Sequence, residues 1–551
     1  MTRLTGSEVL LEVLAAHGVH HIFGNPGTTE LPLIDELAGR SDPSYVLALQ
    51  ENTAVGMADG YAQATGRPAF VNLHTAAGLG GGIGNLTNAL ANRTPMVVTA
   101  GQQDRRHLAV DPILSGDLTG IARGTTKWQH EVRNLGELAT ILHRAFNDAA
   151  SPPPGPVFVS LPLDVLEEAG DLVVPPPSHI DRGAVAGGLP ELADLLSGPG
   201  PTGVAMVVGD GIAASGALPE VVAIAEALGC KVFGAPLYSN LNFPTAHVLW
   251  SGMLPMTAVP IAALLAPFER VLVIGTKAFL VYHYSPGSPI PPATELLHLD
   301  CDPGELGRNH PTRFATYGDV KASLAALLPL VAARVEATAA ARAVEQARAE
   351  ATGMAGRNDD LARSFANQSP MHPMAAVHAL FEGLPPGAAV VDESITTGLY
   401  VRSLWRTASP GTYYFTRGGG LGWGMPASLG VRLAREDQPV LCVVGDGSAM
   451  YSIQSLWTAA HSRIPVVFAV VDNRRYAILQ TKLRSSGGRA AATGDYVGMD
   501  LDDPPIDFLG LARSLGVDST LAEKPEAVTE AARAAFDSGR PHLVHIPIAA
   551  P

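Results

Sequence analysis

Cysteine is scarce in this chain, which has three cysteines in 551 residues: Cys230, Cys301 and Cys442. Their wide spacing offers neither a disulfide framework nor the close pairs of a thiolate metal site. A disulfide-stapled secreted fold is therefore excluded. We expect three buried thiols in a reducing cytoplasm.

Charged residues are also few, at 16% of the chain, and the formal net charge is −15. An acidic chain is repelled by nucleic-acid phosphates, so we expect no nucleic-acid partner. No apolar run approaches the ~18 residues of a membrane span, and Met1–Gly6 lacks the basic-then-apolar pattern of a secretory signal. We expect a soluble, cytoplasmic protein that has no membrane partner.

Apolar residues, in contrast, are abundant and make up 47% of the chain. They are sufficient to fill large cores, and a chain of this length is expected to form about three domains. Apolar strands alternate with helical segments, which is typical of parallel sheets covered by helices on both faces. The predicted fold class is α/β, with three doubly wound domains whose sheets are mainly parallel.

Two changes in composition divide the chain. The run Val174-Pro175-Pro176-Pro177 is typical of a stiff linker, and 332–356 is rich in Ala, Arg and Glu, as in a helical connector. In the middle region, Gly209-Asp210-Gly211 lacks a partner motif and is interpreted as a plain turn. The expected divisions are a first domain at 1–180, a middle domain at 181–335, a connector at 336–370 and a last domain at 371–551.

The most informative stretch is a β-α-β unit near the end of the chain. Its first predicted strand, Leu441–Val444, ends at Gly445-Asp446-Gly447, and its second, Val466–Val471, ends at Asp472-Asn473. The carboxyl ends of parallel strands meet at one edge of a sheet, so Asp446 and Asn473 are expected to lie side by side. Their side-chain oxygens are ligands that suit Mg²⁺, and the two glycines allow backbone amides to approach phosphate oxygens. A lone Gly-Asp-Gly is more often a turn, but the second motif favours a magnesium–diphosphate site.

Three polar residues each follow a predicted strand in the first domain. The strands 20–23, 45–49 and 69–73 lead to Thr28, Glu51 and His74 respectively. A doubly wound sheet presents its ligand-facing loops at these positions, so the three side chains are expected to converge on one crevice. Taken singly, a histidine in a loop or a glutamate that opens a helix does not indicate a functional site, since such a glutamate usually only favours the helix dipole.

Several short motifs resemble those of thiamine-diphosphate (ThDP) enzymes, and among these the benzoylformate decarboxylases most. The resemblance covers nearly the whole chain. It is carried by these segments: Phe23-Gly24-Asn25-Pro26-Gly27, Ala48-Leu49-Gln50-Glu51-Asn52, Ala58-Asp59-Gly60-Tyr61-Ala62, Asn72-Leu73-His74-Thr75-Ala76-Ala77-Gly78, Thr99-Ala100-Gly101-Gln102-Gln103, Gly419-Gly420-Leu421-Gly422 and Ser448-Ala449-Met450-Tyr451-Ser452-Ile453. It implies pyrimidine-binding, middle and diphosphate-binding domains, with ThDP and Mg²⁺ as cofactors.

The resemblance also implies how the cofactor is held. Mg²⁺ would be bound by the side chains of Asp446 and Asn473 and by the backbone carbonyl of Arg475. Glu51 would stand beside the aminopyrimidine ring and favour its reactive imino tautomer. The remaining residues implied to contact ThDP are Gly420, Leu421, Gly445, Gly447, Ser448 and Tyr476.

The proton transfers implied by the resemblance require histidine near neutral pH. His74 is the first candidate, and Thr28 supplies a hydroxyl for positioning the substrate. A second histidine is expected in Val281-Tyr282-His283-Tyr284-Ser285. An ungapped comparison places Tyr282 at that position, whereas imidazole chemistry favours His283, so both alternatives stay open.

The implied function is non-oxidative decarboxylation of a 2-oxo acid to an aldehyde and CO₂ through an enamine on ThDP. Aromatic 2-oxo acids such as benzoylformate are the first substrates to consider, and carboligation is a plausible side activity. The alternatives are a lyase or synthase of the acetolactate synthase or 2-hydroxyacyl-CoA lyase type, and a non-catalytic ThDP-binding homologue. The family also implies a homodimer or homotetramer with active sites at the chain interface.

Overall fold

The computed structural model describes residues 2–550, except for the side chains of 352–355. Its contacts divide the chain into two compact units. The first unit comprises Met1–His179, Phe365–Tyr400 and Gly418–Pro551, and the second comprises Ile180–Ser364 and Val401–Arg417. Within the described residues, no single helix is long and apolar enough to cross a membrane, although the bent pair Val320–Ala332 and Ala337–Ser364 meets that test when taken together.

The first sheet of unit one has six parallel strands. In spatial order they are Ser44–Leu47, His21–Gly24, Ala69–Leu73, Met96–Gln102, Pro156–Pro162 and Gln129–Glu131. The central strands are buried on both faces because helices cover each side. These helices are Gly6–Ala16, Leu31–Leu37, Glu51–Thr65, Thr75–Asn92, Leu118–Ala122, Leu135–Ala150 and Leu163–Glu167. A small antiparallel ribbon pairs Thr2–Thr5 with Ala169–Leu172.

The other sheet of unit one carries the two motifs of the β-α-β unit. Five of its strands are parallel, in the order Ala389–Glu393, Val440–Gly445, Val466–Asp472, His542–Pro547 and Asp518–Leu521. The helices around it are Pro373–Glu382, Gly424–Ala434, Asp446–Ala449, Ser455–His461, Ala477–Ser486, Arg489–Thr493, Phe508–Ser514 and Pro525–Asp537. The glycine-rich segment 417–423 forms no strand, as its composition predicts.

Unit two is built on the middle sheet, which also has six parallel strands. Their order is Trp250–Met253, Lys231–Gly234, Val204–Val208, Arg270–Ile274, Glu295–Asp300 and Phe314–Tyr317. Its helices are Leu189–Ser197, Gly211–Ser215, Leu218–Leu228, Ala258–Leu265, Val320–Ala332 and Ala337–Ser364, the last within the segment predicted to be a helical connector. The short strand Tyr413–Tyr414 also belongs to this unit.

The predicted fold class is confirmed, since the chain is α/β with three parallel sheets flanked by helices. The first and last sheets share one compact unit. The domain limits at 180, 335 and 370 stay predictions.

Two helices of unit one pack with their backbones in direct contact, which explains why both sheets belong to that unit. Gly60 of Glu51–Thr65 lies against the carbonyl oxygen of Ala427, and Gly430 of Gly424–Ala434 lies against that of Met57. Any larger side chain at these two glycines would overlap the facing carbonyl. Just before the second helix, Trp423 Nε1 donates to Asp59 Oδ2 at 2.7 Å.

This packing predicts that Gly430→Ala is destabilising. The added methyl group would overlap the Met57 carbonyl oxygen, and overpacking of this kind costs about 1–3 kcal/mol. We expect a lower calorimetric unfolding temperature. Gly80→Ala is the matched control, since Gly80 is an exposed helical glycine whose added methyl meets no atom within 4 Å. Equal unfolding temperatures for the two variants would contradict the packing argument.

Candidate active site

Glu51 is the first residue of a helix that follows the strand Ser44–Leu47. The preceding Gln50 caps this helix by accepting a hydrogen bond from the backbone amide of Thr53 at 3.1 Å. The Glu51 carboxylate lies against the glycine-rich start of Thr75–Asn92, where a Cβ atom at Gly78 or Gly81 would come within 3.1 Å of one of its oxygens. The missing side chains of these glycines thus leave room for the carboxylate.

His74 directly precedes the helix Thr75–Asn92 and is oriented by a buried glutamate. Its Nδ1 atom lies 2.8 Å from Oε2 of Glu30, which is only 1% exposed. A carboxylate only accepts hydrogen bonds, so Nδ1 carries a proton. In neutral His74 this leaves Nε2 as the proton acceptor, on a side chain that is 21% exposed.

Glu30 is itself fixed by backbone amides. Gly27 donates to its Oε2 atom at 2.9 Å, and Gly101 donates to its Oε1 atom at 3.0 Å. Sequence reasoning missed this role because Glu30 stands in the first turn of a helix, where an acidic residue favours the helix dipole. Only its approach to His74 reveals its function as an orienting group.

Two adjacent threonines follow the strand His21–Gly24, and they occupy different environments. Thr28, the predicted hydroxyl, is exposed. Thr29 is buried, donates to Glu30 Oε1 at 2.8 Å and lies 3.2 Å from His74 Nδ1. Thr29 therefore helps to hold the Glu30–His74 pair, while substrate positioning by Thr28 stays a prediction.

The glycine-rich segment is held by two asparagines of the helix Thr75–Asn92. Asn88 donates to the Gly420 carbonyl and accepts from the Gly420 amide, both at 2.9 Å. Asn85 donates to the Gly422 carbonyl at 3.2 Å. Leu421, the predicted prop for the cofactor, is half-buried between these two anchors. A segment without regular structure thereby gains a fixed backbone.

Glu393, the last residue of its strand, anchors the same segment from the other side. Its Oε1 atom accepts from Gly422 and its Oε2 atom accepts from Gly424, both at 2.6 Å. Burial raises the pKa of Glu393 to about 7, although these amides favour the charged form. In the sequence, Glu393 is distinguished only by its place after the apolar run 389–391.

Asp446 directly follows the strand Val440–Gly445, and Asp472 ends the neighbouring parallel strand Val466–Asp472. The register pairs Gly445 with Val471, which sets the two carboxyl groups within hydrogen-bonding reach of each other. Asp446 is 5% exposed, and its Oδ2 atom has no hydrogen-bond partner among residues 2–550. Burial raises the pKa of Asp446, and the adjacent carboxyl group raises it further. Two such groups cannot both ionise cheaply unless a cation joins them.

The pKa of Asp472 moves the opposite way. Burial opposes its ionisation, but hydrogen bonds from His545, from Asp446 and from the Arg474 amide outweigh burial and lower its pKa. The proton shared by this pair therefore belongs to Asp446. A divalent cation bound to Asp446 would replace that proton.

The remaining predicted ligands follow Asp472 directly. Asn473 is half-buried, and its Oδ1 atom accepts from the Arg475 amide at 3.1 Å. The Tyr476 ring packs close to Gly447, in the turn that also contains the buried Ser448. Among the described residues, no cluster of three or more His, Cys, Asp or Glu side chains could hold a metal ion. The predicted ligands are one carboxylate, one amide oxygen and the backbone carbonyl of Arg475, a set of oxygen donors that suits Mg²⁺.

Tyr282 and His283 belong to the second compact unit, in the loop after Arg270–Ile274. Both side chains are exposed, and their ring centroids lie 4.2 Å apart. The structure therefore leaves both residues available for contact, and the choice between them stays a prediction.

Three family models match this chain. The N-terminal, central and C-terminal domain models of thiamine pyrophosphate enzymes match residues 4–132, 201–327 and 396–546. The chain belongs to the thiamine-pyrophosphate-dependent enzyme family.

Individual relatives are similar over the whole chain. Benzoylformate decarboxylase of Pseudomonas aeruginosa is 35% identical over 97% of both chains. A putative acetolactate synthase large subunit of Mycobacterium tuberculosis is 29% identical over 98% of this chain and 99% of its own. A solved thiamine diphosphate-dependent 4-hydroxybenzoylformate decarboxylase of Rhodococcus jostii superposes with a TM-score of 0.87 at 30% identity, covering 100% of both chains.

The residues present fit the cofactor of this family. Asp446 Oδ2 is a buried oxygen without a partner among residues 2–550, as a cation ligand would be before the ion binds. Glu51 offers a carboxylate at the opening of a helix, and the glycine-rich segment is held by Asn85, Asn88 and Glu393. These features support ThDP as the cofactor, with Mg²⁺ as the ion that holds its diphosphate.

Asp446→Ala removes the unpartnered oxygen, so we expect the protein to lose Mg²⁺-dependent retention of ThDP. Calorimetric titration of ThDP with and without Mg²⁺ measures this directly. Asp437→Ala is the matched control, since Asp437 is an exposed acidic residue just before the strand Val440–Gly445. Full cofactor occupancy in Asp446→Ala would remove Asp446 from the metal site.

Glu30→Gln tests the orientation of His74. One side-chain oxygen becomes an NH₂ group, which would oppose a backbone amide or the His74 Nδ1–H donor. Loss of a correctly oriented proton-transfer group costs roughly 10²–10⁴-fold in kcat. Glu12→Gln, an exposed position, should leave kcat unchanged. If Glu30→Gln matched the parent while His74→Ala lost turnover, Glu30 would have no part in orienting His74.

Proposed function

We propose that this protein is a ThDP- and Mg²⁺-dependent decarboxylase of 2-oxo acids, with aromatic 2-oxo acids as the first substrate class. One observation carries the proposal: a Glu30–His74 pair and a Glu51 carboxylate lie in the same compact unit as a buried, unpartnered Asp446 carboxylate. The names of two similar proteins, a benzoylformate decarboxylase and a 4-hydroxybenzoylformate decarboxylase, support aromatic substrates.

Bound ThDP would supply the electron sink that decarboxylation requires. The protein would supply the remaining functions. Glu51 would accept a hydrogen bond from the pyrimidine ring and stabilise its imino tautomer. His74 would transfer a proton through Nε2, because Glu30 already occupies Nδ1. The exposed Thr28 hydroxyl would orient the carboxylate end of the substrate.

The diphosphate would be held at the carboxyl ends of Val440–Gly445 and Val466–Asp472. Asp446, Asn473 and the Arg475 carbonyl would bind Mg²⁺, and the amides of the Gly445–Ser448 turn would face the phosphate oxygens. Tyr476 would line the same turn. Gly420 and Leu421 would support the thiazolium ring from their fixed segment.

Carboligation is the second candidate activity. It is favoured by the similarity to acetolactate synthases and to a sulfoacetaldehyde acetyltransferase, which span the whole chain at 26–29% identity. The same site would then join the product of decarboxylation to a second carbonyl compound. Product analysis with and without added aldehyde separates the two activities.

We also propose that the active form is a homodimer or a pair of dimers. Large apolar side chains are exposed beside both halves of the site: Leu31 at 56% and Leu49 at 47% near the Glu51 side, and Tyr451 at 54% near the diphosphate side. Burial of these side chains against a second copy would stabilise association and exclude water from the site.

A panel of 2-oxo acids tests the function. We expect CO₂ release with ThDP and Mg²⁺ to be fastest for an aryl substrate such as benzoylformate and slower for pyruvate. The role of Glu51 is tested by Glu51→Gln, which keeps the shape of the side chain but removes its charge. In this variant, exchange of the thiazolium proton and CO₂ release should both fall by orders of magnitude. No CO₂ release from any 2-oxo acid would overturn the proposal, and unchanged proton exchange would remove Glu51 from it.

The second proton-transfer position is tested by a pair of variants in the exposed loop. His283→Ala should reduce kcat more than Tyr282→Phe does, because imidazole donates and accepts protons near pH 7 and a phenol does not. Steady-state kinetics on the preferred substrate decide the question. A much larger loss in Tyr282→Phe would instead assign the position to Tyr282.

A further inference from the structure

Asp472 differs from Asp446 in how its oxygens are used. Its Oδ1 atom accepts from the backbone amide of Arg474, and its Oδ2 atom accepts from His545 Nε2, both at 2.9 Å. Asp446, next to it, keeps one oxygen without a partner in the described part of the chain. Of the two adjacent carboxyl groups, Asp446 therefore has an oxygen available to a cation, whereas both oxygens of Asp472 already accept hydrogen bonds from the protein.

The bond to Arg474 holds the turn that carries two predicted ligands. Arg474 has a φ of +56°, in the left-handed region that non-glycine residues rarely occupy. Asn473 and Arg475 lie on either side of it, and the Arg475 amide donates to the Asn473 side chain at 3.1 Å. The position of the Arg475 carbonyl and of the Asn473 amide oxygen thus depends on Asp472.

His545 fixes Asp472 from a different part of the chain. It lies on the strand His542–Pro547, which pairs with Val466–Asp472, and its ring centroid lies 5.3 Å from that of Phe508. The side chain of His545 is 12% exposed and that of Asp472 is 6% exposed, so water competes little for their hydrogen bond. A well-shielded bond of this kind can fix the Asp472 carboxylate plane.

We propose that Asp472 and His545 are positioning residues for the divalent cation: His545 fixes Asp472, and Asp472 fixes the turn that presents Asn473 and the Arg475 carbonyl. This inference rests on the proposed magnesium–diphosphate site. Partners that orient metal ligands in this way typically control metal affinity by roughly 10–100-fold.

The test is calorimetric titration of Mg²⁺ into the full-length protein with saturating ThDP. We expect His545→Leu, which removes the donor, to weaken Mg²⁺ binding by roughly 10–100-fold. His545→Gln keeps an N–H donor and should retain most of the affinity. His542→Leu is the matched control, since His542 lies on the same strand, is half-buried and bonds to Thr520 at 3.0 Å. Asp472→Ala should reproduce the loss if His545→Leu does not fold.

Parent-like Mg²⁺ affinity in His545→Leu would overturn the inference. Equal losses in His545→Leu and His542→Leu would also overturn it, because the effect would then be general destabilisation of the strand. Failure of the inference is distinguishable from failure of the proposed magnesium–diphosphate site, and CO₂ release from 2-oxo acids tests the decarboxylase function separately. In the first case Asp446→Ala still abolishes Mg²⁺-dependent ThDP binding, and in the second case it does not.

Discussion

Burial of carboxylates at the ends of parallel strands, or in the segments that follow them, is the constraint on which this structure depends. A carboxylate withdrawn from water must find donors or a cation, since its desolvation is otherwise too costly. Glu30 has two backbone amides, a threonine hydroxyl and His74. Glu393 has the amides of the glycine-rich segment, and Asp472 has His545. Asp446 alone among these four retains an oxygen without a partner in the described chain, and this oxygen would face the cation of the proposed site.

The same constraint shapes the backbone around the site. Segment 417–423 has no strand or helix of its own, so its amides and carbonyls need partners elsewhere. Glu393 on one side and Asn85 and Asn88 on the other provide them. Residues 418–423 of this segment belong to the compact unit that also holds the first sheet, and in that unit Gly60 and Gly430 allow two helix backbones to touch. The close packing of the two helices and the hydrogen bonds that fix the glycine-rich segment therefore occur in the same compact unit.

His74 illustrates how the scaffold gives a residue its chemistry. An isolated histidine after a strand has two tautomers and free rotation. The buried Glu30 carboxylate selects the tautomer protonated at Nδ1, and Thr29 packs beside the same nitrogen. In this tautomer Nε2 is the nitrogen that can accept a proton, as the proposed function requires. The chain belongs to the thiamine-pyrophosphate-dependent family, so the cofactor beside which His74 would work is ThDP.

The sequence alone determined the α/β class, the parallel sheets and the strand ends that carry Thr28, Glu51, His74, Asp446 and Asn473. It could do so because apolar strands, glycine turns and the residues that follow them are local signals. Only the tertiary structure revealed the hydrogen-bond partners of Glu30, Glu393 and His545. Each is an ordinary residue in its own segment, and each makes a hydrogen bond to a residue far away in the sequence. Such hydrogen bonds depend on which strands pair in the sheet and on which side chains are buried. Neither can be read from a local sequence pattern.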